Sequence, residues 1–501
     1  MVAEWIWIEK WQAGRLGEAE VEVLREEAHA RTARAMLAMV RAEGGIFIKM
    51  GQHMCASPVL PRVYVETLRV LMDNAIARPV QETEKTWRDE IGGELRGEFA
   101  QFREEPIATA SLAQVYDATL PDGRRVAVKV QHRDVARLFK VDMRIAEAYY
   151  GFLSLFFPGL DFSFAVQEMD RAFSEELDFN LEATNGRKAR EMFQRPGSPV
   201  VVPAIVDRLS TRRVLVMEYE EGFRVDNVEA MRRAGLEPRL VAKTLISLFS
   251  EMMFVRGFVH CDPHPGNILV RPAPGTPEGF KLILLDHGTY QTLPPSVRLT
   301  FARIWKGVIS ANQRAVEDAT AEFGIDRKYG RFVGFILTFS PPTKDPLVAD
   351  ERVSHKEVEG MMENLLEVED IHQAHDKVVE FSQMFEKLPR ELLLIIKTNN
   401  LLRFLNEQLG SPVNRFAIMG KYCLEGLAEA EAAEAARRGA VSSRGLAVMT
   451  RGYLEELRMR VVIWLAPLLQ WAYIDVYLRV TAPKMRQLLL AKQGERVNFL
   501  A

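Results

Sequence analysis

The spacing of apolar and polar residues predicts a small sheet placed between helical regions. EAEVEVLREEAHARTARAMLAMVRAEGG and PRVYVETLRVLMDNA carry apolar residues at helical spacing, so the first hundred residues are predicted to be helical. PIATASLAQVYDATL and RRVAVKVQ then show strand-like runs around Pro121-Asp122-Gly123, which predicts a hairpin. Helices are predicted to resume from about Leu138 to Phe157 and from about Phe164 to Met192.

The second half of the chain continues with short strands and then mostly helices. SPVVVPAIV and RRVLVMEYEEG are strand-like, and LVAKTLISLFSEMMFVRG predicts a helix that ends at Gly257. NILV and KLILLD are short apolar strands joined by a loop rich in proline and glycine. Beyond Pro294 the pattern is helical almost to the end of the sequence. A small mixed sheet followed by a mostly helical half predicts an α+β fold.

Composition narrows the class of protein without identifying a ligand. The 501 residues are 48% hydrophobic and 27% charged, with a net charge of −3, as in an ordinary soluble globular protein. This balance favours no nucleic-acid partner, because the chain has no basic tail or stripe. Three cysteines lie far apart without a C-x-x-C pair, which fits a reducing compartment. MVAEWIWIEKW contains Glu4 and Glu9, so these residues resemble neither a secretory signal nor a transit peptide.

One segment near the C-terminus has the composition of a membrane-surface helix. Its uncharged run from Val461 to Ile474 is shorter than the ~20 residues that a spanning helix needs. Aromatic residues and flanking arginines suit a helix that lies in the membrane interface. A C-terminal helix packed against the rest of the protein is the equally weighted alternative.

The strand RRVAVKVQ contains a lysine that could bind a phosphate. Alternation sends Val126, Val128 and Val130 to one face and places Lys129 on the other, between apolar neighbours. An ammonium group in such a position needs an anionic partner. A surface lysine on an edge strand remains the alternative.

The segment AVQEMDRAFSEELDFNLEATNGRK could supply that partner. The segment is predicted to be a helix, on which Asp178 and Glu182 are like charges four residues apart, which costs a few tenths of a kcal/mol unless a cation compensates. On this predicted helix Glu176 and Glu182 point ~120° apart and could serve two cations. Lys129 and Lys49 are the candidates, and a solvated acidic face is the alternative.

The segment VHCDPHPGNILV places polar residues immediately before an apolar strand. Asn267 follows Asp262 in the order H-x-D-x-x-x-x-N, the spacing of a protein-kinase catalytic loop. LLDHG then places Asp286 where a kinase has its metal-binding aspartate, and carboxylate and amide oxygens suit Mg²⁺. A metal hydrolase using His260, Asp262, His264 and His287 is an alternative, but it explains neither Lys129 nor the acidic segment.

Several longer motifs together resemble the UbiB family of atypical kinases, the aarF-domain-containing proteins associated with coenzyme Q and other prenyl lipids. The motifs are GGIFIKMGQ, PIATASLAQVY, VAVKVQ, EELDFNLEATN, VLVMEYEEG, GFVHCDPHPGNILV and LLDHG, which span roughly residues 44 to 290. LPRELLLIIKTNNLLRFLN is similar to an organellar, mitochondrial subgroup. The resemblance implies a bilobal kinase-like fold. Its expected regions are a helical extension (1–100), an N-lobe (101–220), a C-lobe (221–425) and a helical tail (426–501).

The resemblance also implies a role for individual residues, with ATP and Mg²⁺ as cofactors. Asp262, Lys129 and Glu182 would be catalytic, with Glu182 pairing the phosphate-binding lysine, and Asn267 and Asp286 would hold the magnesium ion. The nucleotide would contact two segments, the phosphate loop and a hinge that meets adenine through backbone groups: Ala108, Thr109, Ala110, Ser111, Met217, Glu218, Tyr219. Regulatory roles fall to a K-x-G-Q element that folds across the substrate site and to an E-x-D element: Lys49, Gly51, Gln52, Glu176, Asp178. Glu176 would pair with Lys49.

Three departures from an ordinary protein kinase affect the expected activity. The phosphate loop has Ala108-Thr109-Ala110-Ser111 in place of glycines, and added Cβ atoms should change how a nucleotide sits. Cys261 occupies the arginine position of H-R-D, so control by loop phosphorylation is not expected. The segment after Gly288 enters a helical pattern almost at once, which leaves little chain for docking a peptide.

These observations favour an ATPase or small-molecule kinase that acts beside a membrane lipid. The expected partners are ATP or ADP, a prenyl lipid or anionic membrane surface, and lipid-biosynthesis enzymes. The expected location is a mitochondrial membrane, with the plastid as alternative. Three other functions stay open: a nucleotide-gated module that presents a lipid, a soluble kinase of the choline or aminoglycoside type, and an inactive scaffold.

Overall fold

A computed structural model describes most of the chain up to residue 437. The described residues are 17–43, 62–72, 77–110, 112–156, 163–338, 387–410 and 412–437. Lys49, Gly51, Gln52, Ser111 and the 461–474 segment therefore lie outside the described residues. In the described ranges no helix combines the length and hydrophobicity needed to cross a bilayer.

Two compact units divide the chain. The described residues within 1–241, 260–291 and 354–409 form the first unit, and those within 242–259, 292–353 and 410–501 form the second. The lobe boundaries expected from the sequence remain a prediction.

Helices open the first unit, and the third of them packs on a sheet. The N-terminal helices are α1 (Glu18–Glu43), α2 (Arg62–Leu68) with a 3₁₀ turn (Arg69–Met72), and α3 (Val80–Glu90), followed by a 3₁₀ turn (Leu95–Gly97). Trp87 of α3 is fully buried against the sheet residues Tyr116, Val126 and Val128. The predicted helical start of the chain is confirmed for the described residues.

A five-stranded antiparallel sheet forms the base of the candidate site. Its strands are β1 (Gln101–Phe102), β2 (Ala108–Thr109), β3 (Ala113–Thr119), β4 (Arg125–Gln131) and β6 (Val214–Glu218). The order is β1-β3-β4-β6, with β2 also paired to β3. Strands β3 and β4 form the predicted hairpin, and its turn contains Gly123 at φ 86°, a value that favours glycine.

The predicted helix from Phe164 to Met192 is wrong as one element. After α4 (Val135–Phe156), the chain forms α5 (Ser163–Glu176) and then α6 (Phe179–Phe193). The break falls at Leu177-Asp178, where the Asp178 carboxylate accepts a hydrogen bond from Asn180 N at 3.0 Å and caps α6. Asp178 is therefore not in a helical i, i+4 repulsion with Glu182, and the angle expected from one continuous helix does not apply.

A second sheet carries the catalytic-loop region. It consists of β5 (Val200–Val201), β7 (Phe223–Arg224), β9 (Ile268–Pro272) and β10 (Phe280–Leu284), in the order β5-β10-β9-β7. The apolar runs NILV and KLILLD pair antiparallel as β9 and β10, with Leu284 opposite Ile268. Only two residues of the strand-like run SPVVVPAIV form a strand, because the prolines at 199 and 203 have no N–H to donate to a neighbouring strand.

Further helices and short strands complete the described chain. A 3₁₀ turn (Asp207–Leu209), α7 (Val228–Arg233), α8 (Pro238–Ser250), a π-helical turn (Glu251–Arg256), β8 (Phe258–His260), a 3₁₀ turn (Pro265–Asn267) and β11 (Tyr290–Thr292) come first. Then follow α9 (Pro295–Ile309), α10 (Gln313–Ala321), a 3₁₀ turn (Arg327–Tyr329), α11 (Gly330–Thr338), α12 (Arg390–Gln408) and α13 (Arg415–Arg437). Gly257 ends the helical segment at φ 65°, as predicted. The chain combines mainly antiparallel sheets with many helices, so the α+β prediction is confirmed.

In the second unit an aromatic cluster forms the core. Phe254 stacks on Phe301 with ring centroids 5.3 Å apart, and Trp305 meets Phe254 edge-on. Trp305 also packs against Phe416 of α13. These rings join the π-helical turn, α9 and α13 around one apolar centre.

Candidate active site

Lys129 and Glu182 form a buried ion pair that joins the sheet to α6. Strand alternation buries Val128 and Val130 on the far face of β4, which leaves Lys129 directed at the helix. Its Nζ atom lies 2.7 and 2.9 Å from the two carboxylate oxygens of Glu182. The Phe179 ring also lies below the ammonium group, 5.0 Å away. The strand lysine is therefore partnered, as its apolar setting requires.

Asp286 brings a third charge to the pair. Its Oδ2 lies 3.0 Å from Lys129 Nζ, and its Oδ1 accepts a hydrogen bond from Gly288 N at 2.9 Å. Burial alone would lower the pKa of Lys129, but the Asp286 and Glu182 carboxylates outweigh it and raise that pKa. Burial raises the pKa of Glu182, against the pull of Lys129, and Asp286 adds to the rise. One ammonium facing two carboxylates leaves negative charge that suits a cation.

The catalytic-loop motif folds into a tight, internally bonded turn. Asp262 N donates to His260 Nδ1 at 3.2 Å, so His260 braces the loop, as the sequence predicts. Asn267 Nδ2 lies 3.2 Å from Asp262 Oδ2, and Asn267 N donates to the His264 carbonyl oxygen at 2.9 Å. The five-residue spacing thus brings the two polar side chains into direct contact.

Asn267 and Asp286 lie at neighbouring ends of the paired strands β9 and β10. Leu285 N donates to the Asn267 carbonyl oxygen at 2.9 Å, one residue before Asp286. Asn267 Nδ2 is directed at Asp262, so the amide oxygen is left for other ligands. One amide and one carboxylate oxygen fit the ligand preference of Mg²⁺. The two residues predicted to hold magnesium thus lie on adjoining strand ends, and their role as its ligands stays a prediction.

The phosphate loop is a short turn between β2 and β3. Ala108 and Thr109 pair with Val115 and Gln114, and Ala110 N donates to the Ala113 carbonyl oxygen at 2.8 Å. His132 also contacts the loop, with Nε2 3.2 Å from the Ala110 carbonyl oxygen. This histidine was not predicted, although its position directly after the strand VAVKVQ was a possible signal.

Backbone N–H groups of the predicted hinge already donate hydrogen bonds within the protein. Glu218 N donates to the Ala204 carbonyl oxygen at 2.8 Å, and Tyr219 N donates to the Arg125 carbonyl oxygen at 3.0 Å. Met217 lies within strand β6, opposite Ala127. The predicted contact with adenine therefore falls to the carbonyl oxygens at the end of this segment, and it stays a prediction.

The two acidic residues of the E-x-D element contact different groups. Asp178 caps α6, whereas Glu176 Oε1 lies 3.5 Å from the Thr289 hydroxyl, just after the Asp286-His287-Gly288 turn. Glu176 and Glu182 thus do contact different partners, although not by the predicted helical geometry. The predicted pairing of Glu176 with Lys49 falls outside the described residues.

The comparisons with known proteins identify the family. The ABC1 atypical kinase-like domain matches residues 70–320. The chain belongs to this family. AarF domain-containing protein kinase 1 of Xenopus tropicalis is 36% identical over 429 residues, which cover 85% of this chain and 80% of the relative. A putative ABC1 protein of Arabidopsis thaliana is 35% identical over 436 residues, covering 83% and 79%.

One of the solved structures that this chain matches comes from Mycobacterium tuberculosis. The protein Rv3197, solved in complex with erythromycin, matches 78% of this chain and 95% of its own chain, with 23% identity and a TM-score of 0.44. The resemblance and the kinase-like fold predicted from the sequence are confirmed by the family match.

Within this ABC1 chain the histidines near the catalytic loop hold backbone and ring partners. His264 Nδ1 accepts from Gly266 N at 3.0 Å, and His287 Nε2 lies 3.1 Å from the Leu284 carbonyl oxygen. Burial lowers the pKa of His287 to about 3, so its ring is neutral. Among the described residues no three His, Cys, Asp or Glu side chains form a group suited to a metal ion. The histidines of the metal-hydrolase alternative thus already hold hydrogen bonds within this part of the chain.

A lysine of helix α12 was missed at the sequence level. Lys397 Nζ lies 3.1 Å from Asp262 Oδ1. The adjacent Thr398 hydrogen-bonds the buried Cys261 thiol, whose pKa burial raises to about 12. The signal was LLIIKTNN, where polar residues follow an apolar helical run, and Thr398, Asn399 and Asn400 are all buried. In place of the arginine of H-R-D, this ABC1 chain has a neutral thiol packed against α12.

Proposed function

We propose that this ABC1 protein is a magnesium-dependent ATPase or small-molecule kinase. The observation that carries the proposal is Lys129 Nζ held between Glu182 and Asp286, at 2.7 and 3.0 Å. This arrangement joins the strand lysine, the helix glutamate and the metal-binding aspartate of a phosphoryl-transfer site. Asp262 and Asn267 lie in contact on the adjoining loop.

Each residue has a task that follows from its position. Lys129 would bind nucleotide phosphates, and Glu182 would keep its ammonium group oriented. Asn267 and Asp286 would hold Mg²⁺, which neutralises phosphate charge when bound. Asp262 would orient the acceptor oxygen and take its proton, and Asn267 fixes the carboxylate through its amide nitrogen at 3.2 Å.

Water or a small molecule suits this site better than a protein substrate. Only β11 separates the Asp286-His287-Gly288 turn from α9, which begins at Pro295. This short connection leaves little chain to bind a peptide. The Xenopus tropicalis relative carries protein kinase in its name, so a protein is the competing acceptor. Incorporation of labelled phosphate into a mixed protein substrate measures this activity directly.

The acceptor or effector is proposed to be a prenyl lipid at an organellar membrane, with lipid-biosynthesis enzymes as partners. Support comes from the resemblance of the motifs to the coenzyme Q-associated UbiB proteins and from the amphipathic composition near residues 461–474. Mitochondria are the proposed location, and the plastid is the alternative. Fractionation of cells that express the tagged full-length protein tests the location, because recovery in the cytosolic fraction would contradict it.

The function is tested by phosphate release from Mg-ATP, with and without anionic liposomes. Wild type is compared with Asp286→Asn and with Asp122→Asn, an exposed carboxylate control on the hairpin turn. Turnover that rises with liposomes and is lost only in Asp286→Asn supports a membrane-coupled enzyme. Nucleotide binding without turnover in wild type would instead support the alternative of a nucleotide-gated lipid scaffold.

A further inference from the structure

The catalytic aspartate has a cationic partner from outside the catalytic loop. Lys397 Nζ lies 3.1 Å from Asp262 Oδ1, and the two side chains are 21% and 14% exposed. The other carboxylate oxygen of Asp262 lies 3.2 Å from Asn267 Nδ2. A carboxylate oxygen has two acceptor positions, so Asp262 can still receive an acceptor hydroxyl while both contacts persist.

Helix α12 holds Lys397 at this position by several neighbouring contacts. Thr398 hydrogen-bonds the Cys261 thiol, so successive residues of α12 contact successive residues of the loop. The preceding turns bury Leu392 and Ile395. A lysine at the end of such an apolar run loses hydration, and this cost calls for a strong anionic partner.

Other basic side chains near the site already have different partners. Lys129 already faces the two carboxylates Glu182 and Asp286 on the sheet side. His264, two residues after Asp262, accepts a hydrogen bond from Gly266 N through Nδ1 and is turned back into its own loop. Lys397 is the ammonium group that lies beside the carboxylate expected to receive the acceptor proton.

We propose that Lys397 is a catalytic residue that binds the transferred phosphoryl group. The proposal rests on the proposed function. When Mg-ATP is bound, the Lys397 ammonium contacts an oxygen of the γ-phosphate next to Asp262. The bond between the γ-phosphorus and the β,γ-bridging oxygen breaks, and ADP leaves with the electron pair. The acceptor oxygen bonds to phosphorus as its proton passes to Asp262, while Lys397 keeps all its protons and stabilises the phosphoryl oxygens.

A purely structural role for Lys397 makes a different prediction. If the lysine only neutralised Asp262, Lys397→Met would weaken AMP-PCP binding through the uncovered Asp262 carboxylate, and this loss would vanish when Asp262 is also replaced by Asn. A phosphoryl contact keeps the loss of AMP-PCP affinity in the Asp262→Asn background, because ADP lacks the group that Lys397 binds. Binding can therefore be measured without turnover.

The experiment compares the affinities of Mg-ADP and the non-hydrolysable Mg-AMP-PCP for full-length wild type, Lys397→Met and Lys397→Arg, and for Lys397→Met in the Asp262→Asn background. Lys387→Met is the control, since Lys387 is an exposed lysine just before the same helix. In Lys397→Met we expect AMP-PCP affinity to fall roughly ten-fold or more with ADP affinity within about two-fold, as loss of one charged hydrogen bond implies. Turnover should fall by about 10²-fold, and Lys397→Arg should restore part of both.

The outcomes separate this proposal from the proposed function. Retained ADP binding shows that Lys397→Met is folded, and an unchanged preference between the two nucleotides would then overturn the role of Lys397 alone. A changed preference in Lys397→Met, together with no turnover by wild type, would support the contact of Lys397 with the γ-phosphate and overturn the enzyme. Failure of wild type to bind either nucleotide would overturn both.

Discussion

Lys129 Nζ lies 3.0 Å from Asp286 Oδ2, a contact between residues 157 positions apart in the chain. The same ammonium binds both carboxylate oxygens of Glu182. One side chain thus connects the sheet, helix α6 and the turn after β10. The stability of these three parts should depend on its charge.

Removal of Lys129 should destabilise the protein through the carboxylates it leaves behind. Lys129→Met is expected to lower the free energy of unfolding by about 3 kcal/mol, because Glu182 is almost completely buried. Lys129→Met/Glu182→Gln should recover part of this loss, with a coupling energy of about 1–3 kcal/mol in a double-mutant cycle by urea unfolding.

The control for this cycle is Lys85→Met on α3, where an exposed lysine is replaced. It should change the free energy of unfolding by no more than about 0.5 kcal/mol. Strict additivity of Lys129→Met and Glu182→Gln would contradict the ion pair as a source of stability.

Much of the site could be predicted because its signals are local. Strand alternation placed Lys129, and the spacing from Asp262 to Asn267 predicted a loop that the structure closes by a side-chain contact. The family roles of these residues rest on the resemblance, and the family itself is confirmed. These features needed no knowledge of distant contacts.

The features that the sequence did not predict depend on contacts between distant segments, or on a local competition between one continuous helix and a new helix with its own cap. Lys397 reaches Asp262 only after α12 packs near the catalytic loop, and no spacing rule links the two residues. The break between α5 and α6 arises because Asp178 caps a new helix, whereas the apolar spacing alone favoured a continuous one. Periodicity reports which face is buried, but it does not report where a helix restarts.

Asp178 should therefore contribute to stability as a helix cap. Asp178→Ala removes the acceptor for Asn180 N and should lower the free energy of unfolding by about 1 kcal/mol. Asp178→Asn keeps a side-chain oxygen and should lose much less. Equal stability of the two variants in urea unfolding would show that the cap does not determine where α6 begins.

Gly186 should be required because His287 packs against its face of α6. A Cβ atom built at residue 186 lies 3.3 Å from His287 Cδ2. The ring cannot shift easily, because Nε2 faces the Leu284 carbonyl oxygen and Nδ1 faces the Tyr290 hydroxyl at 3.1 Å. Gly186→Ala is therefore expected to destabilise by about 1–2 kcal/mol, despite the helix propensity of alanine.

A matched glycine exists on α4. A Cβ atom at Gly151 meets nothing within 4 Å, so Gly151→Ala should stabilise by about 0.5–1 kcal/mol. Thermal unfolding of both variants gives the comparison. A gain in stability for Gly186→Ala would mean that the His287 ring moves more readily than its hydrogen bonds imply.

His132 should make the phosphate-loop region sensitive to acid. Burial lowers the pKa of His132, and the nearby Arg78 lowers it further, so the folded protein holds a neutral ring. The unfolded chain takes up a proton as the pH falls through about 6.5, before the folded protein does. Protonation therefore favours unfolding, and stability is lost as the pH falls below about 6.5.

Two substitutions at residue 132 separate this proton linkage from the contact with the loop. His132→Gln cannot titrate but can still donate to the Ala110 carbonyl oxygen, whereas His132→Phe loses both properties. Urea midpoints at pH 7.5, 6.5 and 5.5 should therefore fall less steeply for both variants than for wild type. At pH 7.5 only His132→Phe should be less stable, because it leaves the Ala110 carbonyl oxygen without this donor. If His132→Gln lost as much stability as wild type between pH 7.5 and 5.5, the acid sensitivity would have to come from other groups.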